Sequence, residues 1–228
     1  MNITPIKTRS FLPPKDSLDD LLHYFDNRLT EGCIITISSK VLSICVGNCI
    51  PADEYDKQKL QEKESSKILS RRSNHNILLT KKDDMLVEYG GVDTLAAGYY
   101  SLLPKKPYKL AKQIWKKIRK EQKIKKLGVI ITDSHSVPFR NGAIGIAVAG
   151  YGFKPVADYR TKNGGKAHAD LIDGLAAAAN LVIGEAANHT PICVIKHPPD
   201  IKYFTKIMPA SIMRSYMYVR KDEVYNMF

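Results

Sequence analysis

The stretch GVIITDSHSVPFRNG, residues 128–142, decides how the rest of the chain is read. Val129, Ile130, Ile131 and Thr132 make a β-branched run of the kind that fills a strand buried on both faces. The run stops at Asp133, Ser134 and His135, and Pro138, Arg140 and Gly142 follow close behind. A buried strand that surfaces on a carboxylate and a hydroxyl sets two hard oxygen donors at the rim of a cleft, the ligands that Mg²⁺ or Mn²⁺ takes. Asp and Ser also open turns by bonding to their own backbone, and on spacing alone that is the commoner use.

Working outward, AIGIAVAGYGF (143–153) predicts a second strand, with glycines that let backbone approach backbone or ligand. ADLIDGLAAAANLVIGE (169–185) predicts a helix that is apolar nearly all round and therefore buried. PICVIK (191–196) reads as a strand. Upstream, SLDDLLHYFDNRL (17–29) predicts a helix capped by Ser17, with Asp19 and Asp20 at its positive end. GCIITISSKVLSICVGNCI (32–50) predicts two strands meeting near Ser38, Ser39 and Lys40. Residues 52–73 form a charged stretch predicted to be helical. NILLT (76–80) and MLVEYGG (85–91) predict short strands joined by a turn at Lys82, Asp83 and Asp84. The aromatic-rich C-terminal 30 residues are expected to pack on the body or on a partner. The alternation gives an α+β fold class, with residues 1–228 as one domain.

Charge and composition limit the function. With 44% apolar and 25% charged residues the chain has the make-up of a globular protein. No run approaches the ~18 apolar residues of a membrane span, and the N-terminus lacks an apolar signal core, so a cytoplasmic protein is expected. Cys33, Cys45, Cys49 and Cys193 have no paired metal spacing and read as reduced core residues. The net charge of +12 is concentrated: residues 105–126 carry 11 Lys+Arg and one acid, a net of +10, which leaves about +2 for everything else. Leu110, Ile114 and Ile118 recur there at helical spacing, beside Ala111 and Trp115, so the lysines face outward on an amphipathic helix. A solvated face is its ordinary use, and an RNA- or phosphate-binding module led by this helix is the alternative.

Two more carboxylates sit at element ends. Asp93 follows two glycines in YGGVDTL, and Glu185 closes the helix of VIGEAANHT, where an acid opposes the helix dipole unless something compensates it. Arg140 could clamp a phosphate bidentately or serve as a structural partner for Asp133 or Asp158. His135 and His168 read as surface histidines.

VIITDSHSVPFRNGAIGIAVAGYGFKPVADYR is similar to the signature of the CofE-like γ-glutamyl ligases, with Pro138, Arg140, Gly142, Gly145 and Gly150 in matching places. EGCIITISSKVLSICVG resembles that family's Ser-Lys-x-x-Ser segment, GGVDTLAAG…LLPKKP its Gly-Ile-Asp…Leu-Leu-Pro block, and DGLAAAANLVIGE its Asp-Glu-Leu-Ala…Gly-Gln/Glu block. The resemblance covers roughly residues 5–197. It departs from the family at Ala96 and Ile44, where the family has Asn and Lys, and at Ser136 and Val137 before the proline.

The resemblance implies a two-part mixed α/β unit, two interlocked subdomains that form an intertwined homodimer. It implies a coenzyme F420-0:L-glutamate ligase activity, joining L-glutamate to the carboxylate of a deazaflavin or a folate-like acceptor through an acyl phosphate. GTP or ATP would be the co-substrate, with Mg²⁺ or Mn²⁺ as two ions. Carried over by position, Asp93, Asp133, Ser134 and Glu185 would hold metal. Ser39 and Lys40 would contact the nucleotide, as would residues 183–190, chiefly Gly184 and Asn188. Asp133 and Arg140 are the candidate catalytic residues. Lys7 and Arg9 lie where the family places a nucleotide-contacting strand. A catalytically inactive homologue that keeps the fold is a further alternative.

Overall fold

The structure, a computed structural model, describes residues 1–71, 78–83, 85–137, 139–185 and 189–217. In chain order its elements are β1 (Asn2–Ile6), α1 (Leu18–Leu22), β2 (Cys33–Ser38), α2 (Ser39–Cys45), β3 (Cys49–Pro51), α3 (Lys57–Glu64), β4 (Lys67–Arg71), β5 (Leu78–Lys82), β6 (Met85–Glu88), β7 (Asp93–Leu95) and β8 (Tyr99–Ser101). They continue with α4 (Pro107–Gln122), β9 (Leu127–Ser136), β10 (Ala143–Tyr151), β11 (Val156–Arg160), β12 (Lys166–Asp170), α5 (Leu171–Ile183), β13 (Ile192–Lys196) and α6 (Ala210–Met217). The fold class is α+β.

A five-stranded sheet in the order β1-β13-β2-β9-β10 forms the middle layer. β2 and β9 pair in parallel, with Ser38 beside Thr132, and the other neighbours are antiparallel. Strand alternation sends Ile35, Ile37, Val129, Ile131 and Val194 to one face, where they meet Leu110, Ile114 and Trp115 of α4 together with α1 and α2. Ile34, Ile130, Cys193 and Ile195 point to the other face and meet Ile172, Ala176 and Ala179 of α5. Burial on both faces is why the β2 and β9 sequences read as continuous apolar runs rather than alternating ones. Two small sheets, β3-β8-β7 and β4-β5-β6, carry the segment that delivers Asp93.

Three sequence expectations are corrected. Residues 39–45 form the helix α2 instead of a second strand: Val41, Leu42, Ile44 and Cys45 are all buried, and a run this short and largely buried satisfies either periodicity. Of the described residues of the charged stretch 52–73, only Lys57–Glu64 is helical, started by Asp56 accepting from the Lys59 amide at 2.8 Å. That helix buries only Leu60 and Gln61, and Lys67–Arg71 leaves it to pair with β5. Finally, α5 is not buried all round. Its far side exposes Leu181 and Val182, while Ile172, Leu175, Ala176 and Ala179 face the sheet.

The basic helix and the β5–β6 hairpin form as expected, whereas the capped helix predicted over 17–29 stops at Leu22 and gives way to a 3-10 turn at His23–Phe25. Ser17 and Asp20 make a reciprocal capping box at α1. α4 buries Leu110, Ala111, Ile114, Trp115 and Ile118, and Asp83 turns the hairpin at φ 51°. In the C-terminal segment, Tyr203 donates to the Gly32 carbonyl at 2.6 Å and Met213 is buried, whereas residues 218–228 lie outside the described residues.

One half-buried carboxyl is expected to make stability depend on pH. Asp173, in the first turn of α5, accepts from the Ala147 amide at 2.7 Å, at the bulge of β10. Burial, and then the neighbouring Asp170, push its carboxyl up to about 6. A folded-state value above the ordinary 3.8 favours the protonated form, so this contribution is complete below about pH 4 and is lost as pH rises through 6. Asp173→Asn keeps an acceptor for Ala147 and removes the charge. Against an opposing helix-dipole effect of about 0.3–1 kcal/mol, the variant is expected to gain about 1–2 kcal/mol over the parent at pH 7.5 and about a third as much at pH 4.5. Urea unfolding at the two pH values checks this.

Candidate functional site

A cleft of about 600 Å³ opens beyond the carboxyl ends of β2 and β9. Ser38, Lys40, Asp93, Thr132, Asp133, Ser134, Gly184 and Glu185 all line it. Each arrives for a local reason. β9 outruns its parallel partner, so Asp133 and Ser134 project past the point where β2 bends into α2. Asp93 is delivered by Tyr89, Gly90 and Gly91, all at positive φ. A Cβ on Gly90 would sit 2.5 Å from the Gln61 carbonyl oxygen, and one on Gly91 would sit 2.6 Å from Leu103, so this turn needs both glycines. Gly184, at φ 76°, ends α5 and turns Glu185 back toward the sheet.

Along β9 successive side chains alternate faces, and the donor set divides accordingly. Asp133 lies with Asp93, Lys40 and Ser39. Lys40 Nζ is 3.2 Å from Asp93 Oδ2. Burial first, and then the charge of Asp93, push the Asp133 carboxyl up to about 7. The Ser134 amide, the Lys40 ammonium and the Ser39 hydroxyl work in the opposite direction. Ser134 lies on the other face, where its hydroxyl donates to Glu185 Oε2 at 3.2 Å. Asn180 Nδ2 donates to Glu185 Oε1 at 2.6 Å. The acid at the end of α5 is therefore held by two neutral donors.

The donors suit a hard divalent cation: three carboxylates and a hydroxyl, with two of the carboxylates close enough that one raises the other. Among the described residues, no three carboxylate, histidine or cysteine side chains stand together as a ready-made cluster. The set is instead two half-sites, Asp93 with Asp133 and Glu185 with Ser134.

The remaining residues singled out from the sequence fall as follows. Ser39 is buried beside Asp133. Asn188 and Pro138 lie outside the described residues. Arg140 is exposed on the β9–β10 connection and is not among the residues lining the cleft. Asp158 is paired with Lys154 and His168 rather than with Arg140. His135 lines the cleft, half-buried, and desolvation lowers its pKa. Arg9 also lines it, its guanidinium 2.6 Å from the buried Asp16. Ile44 forms part of the apolar wall. Sequence reasoning missed Asn180, Glu88 and Tyr89, all of which line the cleft, while His189, within the stretch 183–190 named from the sequence, lines it too. Asn180 had a signal: it is the one amide in the run AAAANLV.

A parallel strand pair with Asp133 of β9 just past the end of β2 at a polar cleft, and helices on both faces of the sheet, gives an α+β protein with a candidate active site. The chain belongs to the family described as F420-0:Gamma-glutamyl ligase, whose model matches residues 6–197. It is similar to the coenzyme F420:L-glutamate ligase of Methanopyrus kandleri, at 28% identity with 90% of each chain covered. It is also similar to the protein of the same name in Methanocaldococcus jannaschii, at 29% identity over 74% of this chain and 76% of that one. The corresponding protein of Halobacterium salinarum is 24% identical over 81% of this chain and 83% of its own. No helix among the described residues is long and apolar enough to cross a membrane.

Proposed function

We propose that the chain is a γ-glutamyl ligase that forms an amide between L-glutamate and the carboxylate of a deazaflavin acceptor, F420-0, driven by GTP or ATP. The observation that carries this reading is the convergence of Asp93, Asp133, Ser134 and Glu185 on one cleft in a chain of the F420-0:Gamma-glutamyl ligase family. In the reaction, the acceptor carboxylate oxygen attacks the terminal phosphorus and the nucleoside diphosphate leaves. The glutamate amine then attacks the acyl carbon, phosphate departs with one former carboxylate oxygen, and the amine loses a proton. No side-chain nucleophile is needed.

Mg²⁺ or Mn²⁺, when bound, supplies charge that offsets the phosphates and aligns them for in-line attack. The division of the donors across the two faces of β9 suits two ions, one held by Asp93 and Asp133 and one by Ser134 and Glu185. Asn180 orients Glu185. Lys40 and Arg9 add positive charge to the cleft wall, and Ser39 fixes Asp133.

The test offers F420-0 and a reduced folate separately, each with glutamate, Mn²⁺ and GTP or ATP, and reads product mass. One added glutamyl unit on F420-0 supports the proposal. An adduct on the folate alone moves the acceptor to that class, and no adduct with either acceptor rejects ligase activity.

We further propose that the protein acts as a homodimer. Phe139, Ile144, Leu181 and Val182 are exposed apolar residues on the β9–β10 connection, β10 and α5. The β11–β12 ribbon pairs only with itself among the described residues, and an isolated two-stranded ribbon is marginal in water. Sedimentation at about ten micromolar is expected to give twice the 25.6 kDa chain mass, and Leu181→Asp to give the monomer. A monomeric parent contradicts the proposal.

A further inference from the structure

The Lys40–Asp93 pair stands where a divalent ion is proposed to bind. Both side chains are about half exposed, at 47% and 51%, and exposed pairs of this kind are weak enough to be exchanged for a better partner. Lys40 also acts on Asp133, opposing the effect of Asp93 there. One ammonium thus offsets two crowded carboxylates. It rides on a flexible stem from the second residue of α2, so the side chain can leave Asp93 while the backbone stays in place.

We propose that Lys40 is the cleft's own counter-cation: it competes with a divalent ion for Asp93, and the arriving ion displaces its ammonium into the cleft, where anionic oxygens can take it up. This rests on the metal reading above and adds a threshold to it. Removing the ammonium would make Asp93 a freer ligand. Arginine at position 40 would keep the pair.

The experiment measures Mn²⁺ binding to the full chain by calorimetry, with no nucleotide or acceptor present. Lys40→Met is expected to tighten the Kd about three- to fivefold, and Lys40→Arg to stay within about twofold of the parent. Lysine acylation read by mass spectrometry gives a second measure that affinity alone does not supply. Saturating Mn²⁺ is expected to raise labelling of Lys40 about threefold while leaving the exposed Lys116, on α4, unchanged. If Mn²⁺ binds the Met variant no more tightly than the parent, or if bound Mn²⁺ leaves Lys40 labelling unmoved, the competition is overturned while the metal reading stands. If Mn²⁺ binds none of the variants, the metal reading fails and the competition fails with it.

Discussion

Asp133→Asn is expected to lower the rate of glutamyl transfer by about three orders of magnitude while leaving the fold intact. The asparagine keeps an oxygen for the Ser39 hydroxyl and the Ser134 amide, so the end of β9 has no reason to move. What it loses is the charge that lets this position face a cation or a phosphate-bearing intermediate. The parent carboxyl is pushed up to about 7 by burial and by Asp93, so its ionised form is held at a cost to the fold. The neutral variant is therefore expected to melt no lower than the parent at pH 8. A loss of activity accompanied by a fall of many degrees in melting temperature would make Asp133 a structural residue instead.

Gly145→Val is expected to have the largest effect on stability, about 3 kcal/mol or more, and to damage the site from a distance. Gly145 lies opposite Ser134 in the β9–β10 register. A Cβ there would stand 2.5 Å from Asn180 Cβ and 2.7 Å from the Ala176 carbonyl oxygen, so α5 packs directly on strand backbone. Overpacking of this kind costs about 1–3 kcal/mol when neighbours can shift, and a β-branched residue set against helix backbone falls at or beyond the upper end. The helix cannot retreat without carrying Asn180 with it, and Asn180 holds Glu185 against Ser134. Activity is expected to fall more than the folded fraction does. Urea unfolding together with rates normalised to folded protein checks both parts. A variant as stable as the parent would contradict the close packing.

Much of this was legible in the residues. Asp133 and Ser134 at the cleft, the cap of α1, the amphipathic α4 and the glycines of β10 each carry a local signal that the fold keeps, although β9 does not stop at Asp133 but runs on to Ser136. The errors occurred where local signals are degenerate. Residues 39–45 mix Ser39, Lys40 and Ser43 with four apolar residues in a run too short to show one period, so helix and strand were equally compatible, and contact with α1 and the main sheet decided the matter. The alanines of α5 gave no face, because the close approach at Gly145 selects which side is buried. The site was legible as a list of carboxylates. Its division into two half-sites required knowing that β9 runs on past β2, so that alternation sets Asp133 and Ser134 on opposite faces. Asn180 and the Lys40–Asp93 pair are contacts between distant segments, and spacing does not record them.

The most direct measurement follows an oxygen atom. F420-0 labelled with ¹⁸O in its carboxylate is incubated with the protein, glutamate, Mn²⁺ and GTP, and both the acceptor and the released phosphate are read by mass. One ¹⁸O in phosphate for each glutamyl amide formed is the result expected of acyl-phosphate ligation in this cleft. Amide formation with unlabelled phosphate, or nucleotide hydrolysis with no amide, would contradict it.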